Sequence, residues 1–469
     1  MPRLLDSGNH TVSPVLPWIV AVTFFMQVLD GSILNNALPT MAGDLGVSPL
    51  DMHSVIFAYL LTSALFIPIS GWLADRYSVR RVFSLAILLF TAGSLACAMA
   101  GTLGHLVAAR VLQGLGGAMM VPVGRLAIVK VYTRQDLVRA LSFVTLPGLL
   151  GPVCGPLVGG VFIEYLTWHW IFLINIPFGI VGLILSRMYM PELRGEGPEP
   201  FDLLGFMVFS LSLALLSLSF EVAEESPLVL TLALLGVGLL MMAAYWTKLA
   251  GRTGALFVSS IFKKPGFVTS ICCNLCSRVG SGAIPFILPL FLQLLMGLTP
   301  LQAGLFMIPQ AVGSLVGKSF APYLLFRLGF RRFLLSNTCV LGLLVASFSL
   351  ITVDSPKTWL TALFLVFGAF NSMQFTALNS LILIDLDHRE AGSGNTLLSV
   401  VIQICNNSGV TLGAALLGAF AVFFQGRSLS ADAPSALIFH FSFFVVGVVI
   451  LCAALVVRRL GRDYGRAAG

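Results

Sequence analysis

Charge is the scarcest feature of this sequence. Only 10% of its 469 residues are Asp, Glu, Lys or Arg, against roughly 25% in a soluble globular domain, while 57% are hydrophobic. A water-soluble core could not hide that much apolar surface in a chain of this length. Long polar stretches are also missing: the longest are Pro191–Asp202 and Lys248–Lys264, too short for a separate catalytic domain. No nucleotide-binding loop, nucleophile constellation or metal-ligand cluster stands out, so an enzyme is not expected, and neither is a cofactor or metal. Cys273 and Cys276 form a C-x-x-C with no second pair and no adjacent His. Reduced thiols packed as small apolar groups are expected there and at the other cysteines. The alternating strands of an outer-membrane barrel are absent. No cleavable signal peptide is expected, because Pro14–Pro39 is too long and Asn35 and Asn36 do not resemble a cleavage region.

What is present is a succession of apolar runs, each long enough to cross a hydrocarbon layer of about 30 Å as a helix. Fourteen spans are predicted, at 15–39, 52–73, 82–101, 104–124, 140–163, 169–189, 203–220, 228–247, 267–294, 299–324, 333–352, 358–383, 395–422 and 435–458. Lys and Arg orient them. Of the 27 such residues, only Lys357 and Arg427 fall on one set of alternate loops, and Arg110, Arg278 and Lys318 lie inside spans. All the others fall on the opposite set, which places both termini in the cytoplasm. The net charge of +7 therefore reads as anchoring to anionic lipid, with no nucleic-acid partner needed. A faint repeat links Ala74–Arg81, after the second span, to Phe326–Arg332, after the tenth. The parse is a six-helix bundle at 1–190, two linker spans with their loops at 191–264, and a second six-helix bundle at 265–469.

Polar residues inside such spans are costly and mark function. Asp30 is a carboxylate within the first apolar helix, and Arg110 lies within the fourth. At 1.5 Å per residue both sit about 10–13 Å below the outer ends of their spans, a matching depth from which they could communicate within one cavity. Polar stripes recur at helical spacing: Asn274, Arg278 and Ser281; Gln310, Ser314 and Lys318; Asn371 and Gln374; Gln403, Asn407 and Thr411. With Gln27, one turn before Asp30, they supply candidates for a substrate cavity: Gln27, Asn274, Arg278, Gln310, Lys318, Asn371, Gln374, Gln403 and Asn407. Arg278 is too deep to reach a headgroup, whereas Lys318 is about 9 Å from its span end and could do so.

Four motifs give the chain its resemblance to the major facilitator superfamily and, more narrowly, to the fourteen-span drug/proton antiporter branch with its enterobacterial multidrug-resistance-like members. The first is the loop Gly71-Trp72-Leu73-Ala74-Asp75-Arg76-Tyr77-Ser78-Val79-Arg80-Arg81, where the family usually has Gly in place of Ser78. The second is Arg110 with Gln113, Gly114, Gly116 and Gly117. The third is Gly151-x-x-x-Gly155-Pro156-x-x-Gly159-Gly160, and the fourth joins the Asp30 stretch to Trp168–Pro177, with His169 where Arg is usual. The resemblance implies an all-α polytopic fold of fourteen helices, two six-helix bundles plus two linkers, acting as an antiporter in the bacterial cytoplasmic membrane. It implies proton coupling at Asp30 and Arg110. It also implies an inner gate loop of Gly71, Asp75, Arg76, Arg80 and Arg81, with Asp75 latched near Gly392–Asn395. Gly151, Gly155, Pro156, Gly159 and Gly160 would form an antiporter-type helix. A monomer exchanging protons for an amphipathic small molecule is expected; an organic anion is the alternative substrate, given the cations in mid-membrane.

Overall fold

The computed structural model describes residues 15–132, 134–194, 201–221, 228–249, 257, 264–384, 391–425 and 433–458. Its α-helices, in chain order, are α1 Leu16–Leu45, α2 His53–Tyr77, α3 Val79–Ala98, α4 Leu103–Val131, α5 Arg134–Tyr165, α6 Trp170–Leu173, α7 Asn175–Tyr189, α8 Leu203–Glu221, α9 Leu228–Ala244, α10 Pro265–Leu290, α11 Pro300–Leu328, α12 Phe330–Ser347, α13 Lys357–Ile384, α14 Ala391–Gln425 and α15 Ala433–Val457. Among the described residues, 11 helices are long and apolar enough to cross a membrane.

Helix edges differ from the sequence reading where proline chemistry decides them. The first span was expected to end at Pro39, but α1 runs through Pro39 to Leu45 and ends on Gly46, which takes φ 67° and donates its N–H to Ala42 O. A proline removes one helical hydrogen bond, and neighbouring helices make that loss tolerable at membrane depth. The sixth span is broken into α6 and α7 at Ile174. Pro177 has no N–H to give the Leu173 carbonyl, so the helical ladder is interrupted there. At the far end of α10, which contains Pro285 and Pro289, the chain widens into a π-helical turn, Phe291–Leu295.

Helix packing repeats along the chain. In the first half α1 lies along α5, α2 along α4 and α3 along α7; in the second, α10 lies along α14, α11 along α13 and α12 along α15. The halves meet where α5 packs on α11 and α2 on α14. Helices α8 and α9 pair with each other, and α8 also touches α2 and α14.

The repeated loop is visible in the backbone too. Ser78, between α2 and α3, has φ 97° and ψ 146°, and Gly329, between α11 and α12, has φ 74° and ψ 157°. Ser78 is the one described non-glycine residue at positive φ. Its hydroxyl accepts a 3.3 Å bond from Arg81 N and so caps α3.

Candidate functional site

The geometry centres on Asp30. From the middle of α1 its carboxylate meets Arg110 of α4, with Nη1 2.7 Å from Oδ2. Both residues are 1% exposed. Oδ1 accepts from Gln113 Nε2 at 2.8 Å and from Asn175 Nδ2 at 2.8 Å. Arg110 Nη1 also donates to Gln113 Oε1 at 2.6 Å, and its Nε donates to the Val55 carbonyl at 3.3 Å. Its guanidinium carbon lies 4.4 Å from the centroid of the Tyr59 ring. Ser94 Oγ of α3 accepts from Gln113 at 2.8 Å and from Asn175 at 3.3 Å. Five helices thus converge on one carboxylate. The matching depths read from the sequence resolve into direct contact, closed from solvent, and Arg110 does not reach for a headgroup.

Glycines make this approach possible. A Cβ at Gly116 would lie 2.6 Å from Ala86 O, one at Gly93 would collide with the Gln113 backbone, and one at Gly114 would lie 3.0 Å from Tyr59 O. Helix α4 is therefore drawn against α2 and α3, which fixes Arg110 and Gln113 beside Asp30. Gln27 donates to the Gly117 carbonyl at 3.2 Å.

The second half holds an uncharged counterpart on the corresponding helices. Gln374 of α13 accepts from Asn337 Nδ2 of α12 at 2.8 Å, and donates to Thr338 Oγ1 at 2.8 Å and to Ser277 Oγ of α10 at 3.2 Å. Gln374 is thereby tied into the helix packing. Asn274 is also saturated, giving to the Ser270 and Leu378 carbonyls at 3.3 Å and accepting from Arg278 Nε at 2.8 Å.

Arg278 is buried, with no ion-pair partner among the described residues. Asn274 and Asn379 Oδ1, at 2.9 Å, accept from it, and its guanidinium carbon lies 4.0 Å from the Phe375 ring centroid. Lys318 of α11 is exposed, and Arg125 of α4 is half-buried with its guanidinium carbon 5.9 Å from the Phe24 ring centroid. Gln27 Oε1, Gln310 Oε1, Asn371 Oδ1, Asn407 Oδ1 and the Ser281 hydroxyl are buried without a hydrogen-bond partner among the described residues. Such atoms call for a donor from water or solute. Gln403 is half-buried on α14, one turn before Asn407.

The glycine–proline helix α5 is a two-faced seam. Gly151, Gly155 and Gly159 take Val28, Ser32 and Ile33 of α1, and Ser32 Oγ donates to Gly151 O at 2.9 Å. Pro156 and Gly160 turn the other way, against Gly304 and Leu301 of α11. Asn36 of α1 bridges both faces, its Nδ2 donating to Pro156 O at 3.2 Å and to Pro300 O at 2.7 Å. Gln293 Nε2 in turn donates to Asn36 O at 2.9 Å and to Asn36 Oδ1 at 3.0 Å. Thr299 donates to Glu164 at 2.8 Å. These bonds join the two halves at the Pro300 end.

At the opposite, Ser78 end, Asp75 pairs with Lys130 of α4 at 2.5 Å. Arg80 and Arg81 reach Glu192 at 3.0 and 3.3 Å, while Arg76 and Gly71 are exposed. The latch expected between Asp75 and Gly392–Asn395 falls on side chains outside the described residues. His169 stacks on Trp168 with centroids 3.8 Å apart, and the Trp168 indole donates to Asp44 at 2.9 Å.

A polytopic helical bundle of two packed halves around a buried carboxylate defines a membrane transporter. Residues 20–406 match the model of the Major Facilitator Superfamily, and the chain belongs to that family. It is 42% identical over 451 residues to a Yersinia enterocolitica protein, with 96% of this chain and 95% of the relative covered. It is 43% identical over 450 residues to one from Serratia proteamaculans, covering 95% and 93%. Both relatives carry the name "Putative multidrug resistance protein MdtD". Solved structures share the fold at 14% identity: an auto-inhibited POT family peptide transporter with TM-score 0.68, covering 96% of this chain and 98% of that one, and a D-xylose–proton symporter with TM-score 0.67, covering 95% and 97%.

Proposed function

We propose that this chain is a proton-coupled exporter of amphipathic small molecules, working by alternating access as a monomer in the bacterial cytoplasmic membrane. It would comprise fourteen spans, arranged as bundles at 1–190 and 265–469 about linker spans at 191–264, with both termini and the Ser78 end in the cytoplasm. The observation that carries the reading is Asp30, buried and held at once by Arg110, Gln113 and Asn175. A proton on Asp30 would cancel the charge that Arg110 needs, so protonation state and helix packing in the first half are coupled. The Gln374 node of the second half holds no ionisable group among Gln374, Asn337, Thr338 and Ser277. Export rather than uptake is supported by the Gly151–Gly160 seam and by the relatives' name. The test is Asp30→Asn in inverted vesicles: proton-driven efflux of a cationic dye should be abolished, and retention of most of the flux would remove Asp30 from the mechanism.

A second reading, an exporter of organic anions, is favoured by one specific observation: Arg278, Lys318 and Arg125 have no ion-pair partner among the described residues. Comparing transport of a cationic dye with that of a citrate-like anion in the same vesicles separates the two.

A further inference from the structure

A cleft of about 650 Å³ lies between the α8–α9 pair and the α10/α14 face of the second half. Phe209 and Leu213 of α8, Leu239 and Met242 of α9, and Leu275 and Val400 opposite them represent its wall, which is apolar apart from Ser217, Ser408 and Thr411. Its volume falls within the roughly 300–1,000 Å³ of ligand pockets. The wall contributed by α14 runs from Leu397 to Ala415, about 27 Å of helix at 1.5 Å per residue and close to the ~30 Å of a hydrocarbon core. The cleft is thus a slot parallel to the helices. Leu239, 54% exposed, and Leu275, 36% exposed, form rims that open sideways between α9 and α10, toward the bilayer and away from the Asp30 node.

One end of the slot carries a polar handle. Trp246 lines it within an aromatic cluster with Phe209, Tyr245 and Phe257. Lys248, two residues on in the same π-helical turn, is exposed and has no ion-pair partner among the described residues. An indole and an ammonium group at the mouth of an apolar slot match the interface between acyl chains and anionic headgroups.

We propose that this slot seats one acyl chain of an anionic bilayer phospholipid, with the phosphate at Lys248. The slot is flanked by hydrocarbon, its length suits an extended chain, and the hydroxyls of Ser217, Ser408 and Thr411 lie in its deep half, away from the headgroup. The seated lipid would complete the contact between the linker helices and the second half. This does not depend on which solute is transported or on proton coupling.

The test is lipid retention by the full chain, purified in detergent, washed and analysed by mass spectrometry. About one anionic phospholipid per chain should survive washing, and Val400→Trp or Leu239→Trp, which fill the slot without adding charge, should lower that by about tenfold. Lys248→Gln should cut the anionic fraction selectively. Unchanged retention in the tryptophan variants at normal yield overturns the proposal, as does displacement of the lipid by a micromolar cationic dye, which would make the slot a solute site. Should the variants express poorly, the unmodified chain decides. A delipidated sample reloaded with chain-brominated phosphatidylglycerol should lose the emission of Trp246, read as the difference from Trp246→Phe, and no such loss refutes the seat.

Discussion

Ser78 and Gly329 occupy the same left-handed turn in the two halves, φ 97° and 74°, each joining a pair of successive helices. Glycine adopts that backbone freely, whereas serine is held there at a cost of order 1 kcal/mol or more. The resemblance already pointed at Ser78 as a departure from the usual glycine, and the backbone supplies the reason glycine is usual.

Ser78→Gly should therefore stabilise the chain by about 1 kcal/mol, because the cap to Arg81 N lost with the hydroxyl is worth only a few tenths relative to glycine. Gly329→Ala should destabilise it by a similar amount. Thermal unfolding in detergent, followed by intrinsic fluorescence, measures both. A lower midpoint for Ser78→Gly would show that the cap outweighs the strain.

Asp30→Asn keeps the acceptor for Gln113 and Asn175 but strands Arg110 as a buried, unpaired charge. Breaking a buried pair in this way costs about 3–5 kcal/mol. The expected result is lost proton-driven flux together with a lower unfolding midpoint, and Asp30→Asn with Arg110→Gln should recover most of the stability but none of the flux. A double-mutant cycle on unfolding free energies checks this; purely additive effects would contradict the pairing.

Asn36 is the hub of the Pro300 end, tying α1 to α5 and α11 while receiving Gln293. Asn36→Ala removes three side-chain hydrogen bonds, two of them between the halves, each worth about 1 kcal/mol, so the population open at that end should rise by one to two orders of magnitude. Spin labels on Tyr165 and Leu305, in a background without the native cysteines, report the distance across the seam. An unchanged distance distribution would mean that the glycine seam holds the halves without the amides.

Arg278→Gln separates the two substrate readings. Loss of a desolvated, charge-assisted bond should weaken an organic anion by about 1.5–3 kcal/mol, more than tenfold, and leave cations unaffected or better bound. Equal transport of both classes at normal yield would place Arg278 outside the substrate path.

Much of this was legible from the sequence because lipid-spanning helices are written in long apolar runs and a lone carboxylate stands out against them. Asp30 and Arg110 could be matched by depth along their helices. Asn175, Ser94 and Tyr59 could not, because a single polar residue in an apolar run says nothing about which neighbour it meets until α7, α3 and α2 are packed. Gln374 and Asn274 read as cavity candidates by the same stripe logic, yet their donors and acceptors are taken up between helices. The continuation of α1 past Pro39 was hidden because proline ends helices in water more reliably than within a bundle. The slot beside α9 was illegible, since leucines lining a cleft and leucines facing lipid have the same pattern.

The closure of the Asp30 node has an electrical consequence. A carboxylate 1% exposed and fully engaged is shut off from bulk solvent on both sides while the halves are joined at the Pro300 end. If the chain is proton-driven, a molecule resting in this form short-circuits nothing. Vesicles crowded with it should hold an imposed pH gradient as long as empty ones do, and the gradient should collapse only when solute is supplied, so an idle pump would not drain the energised membrane that hosts it.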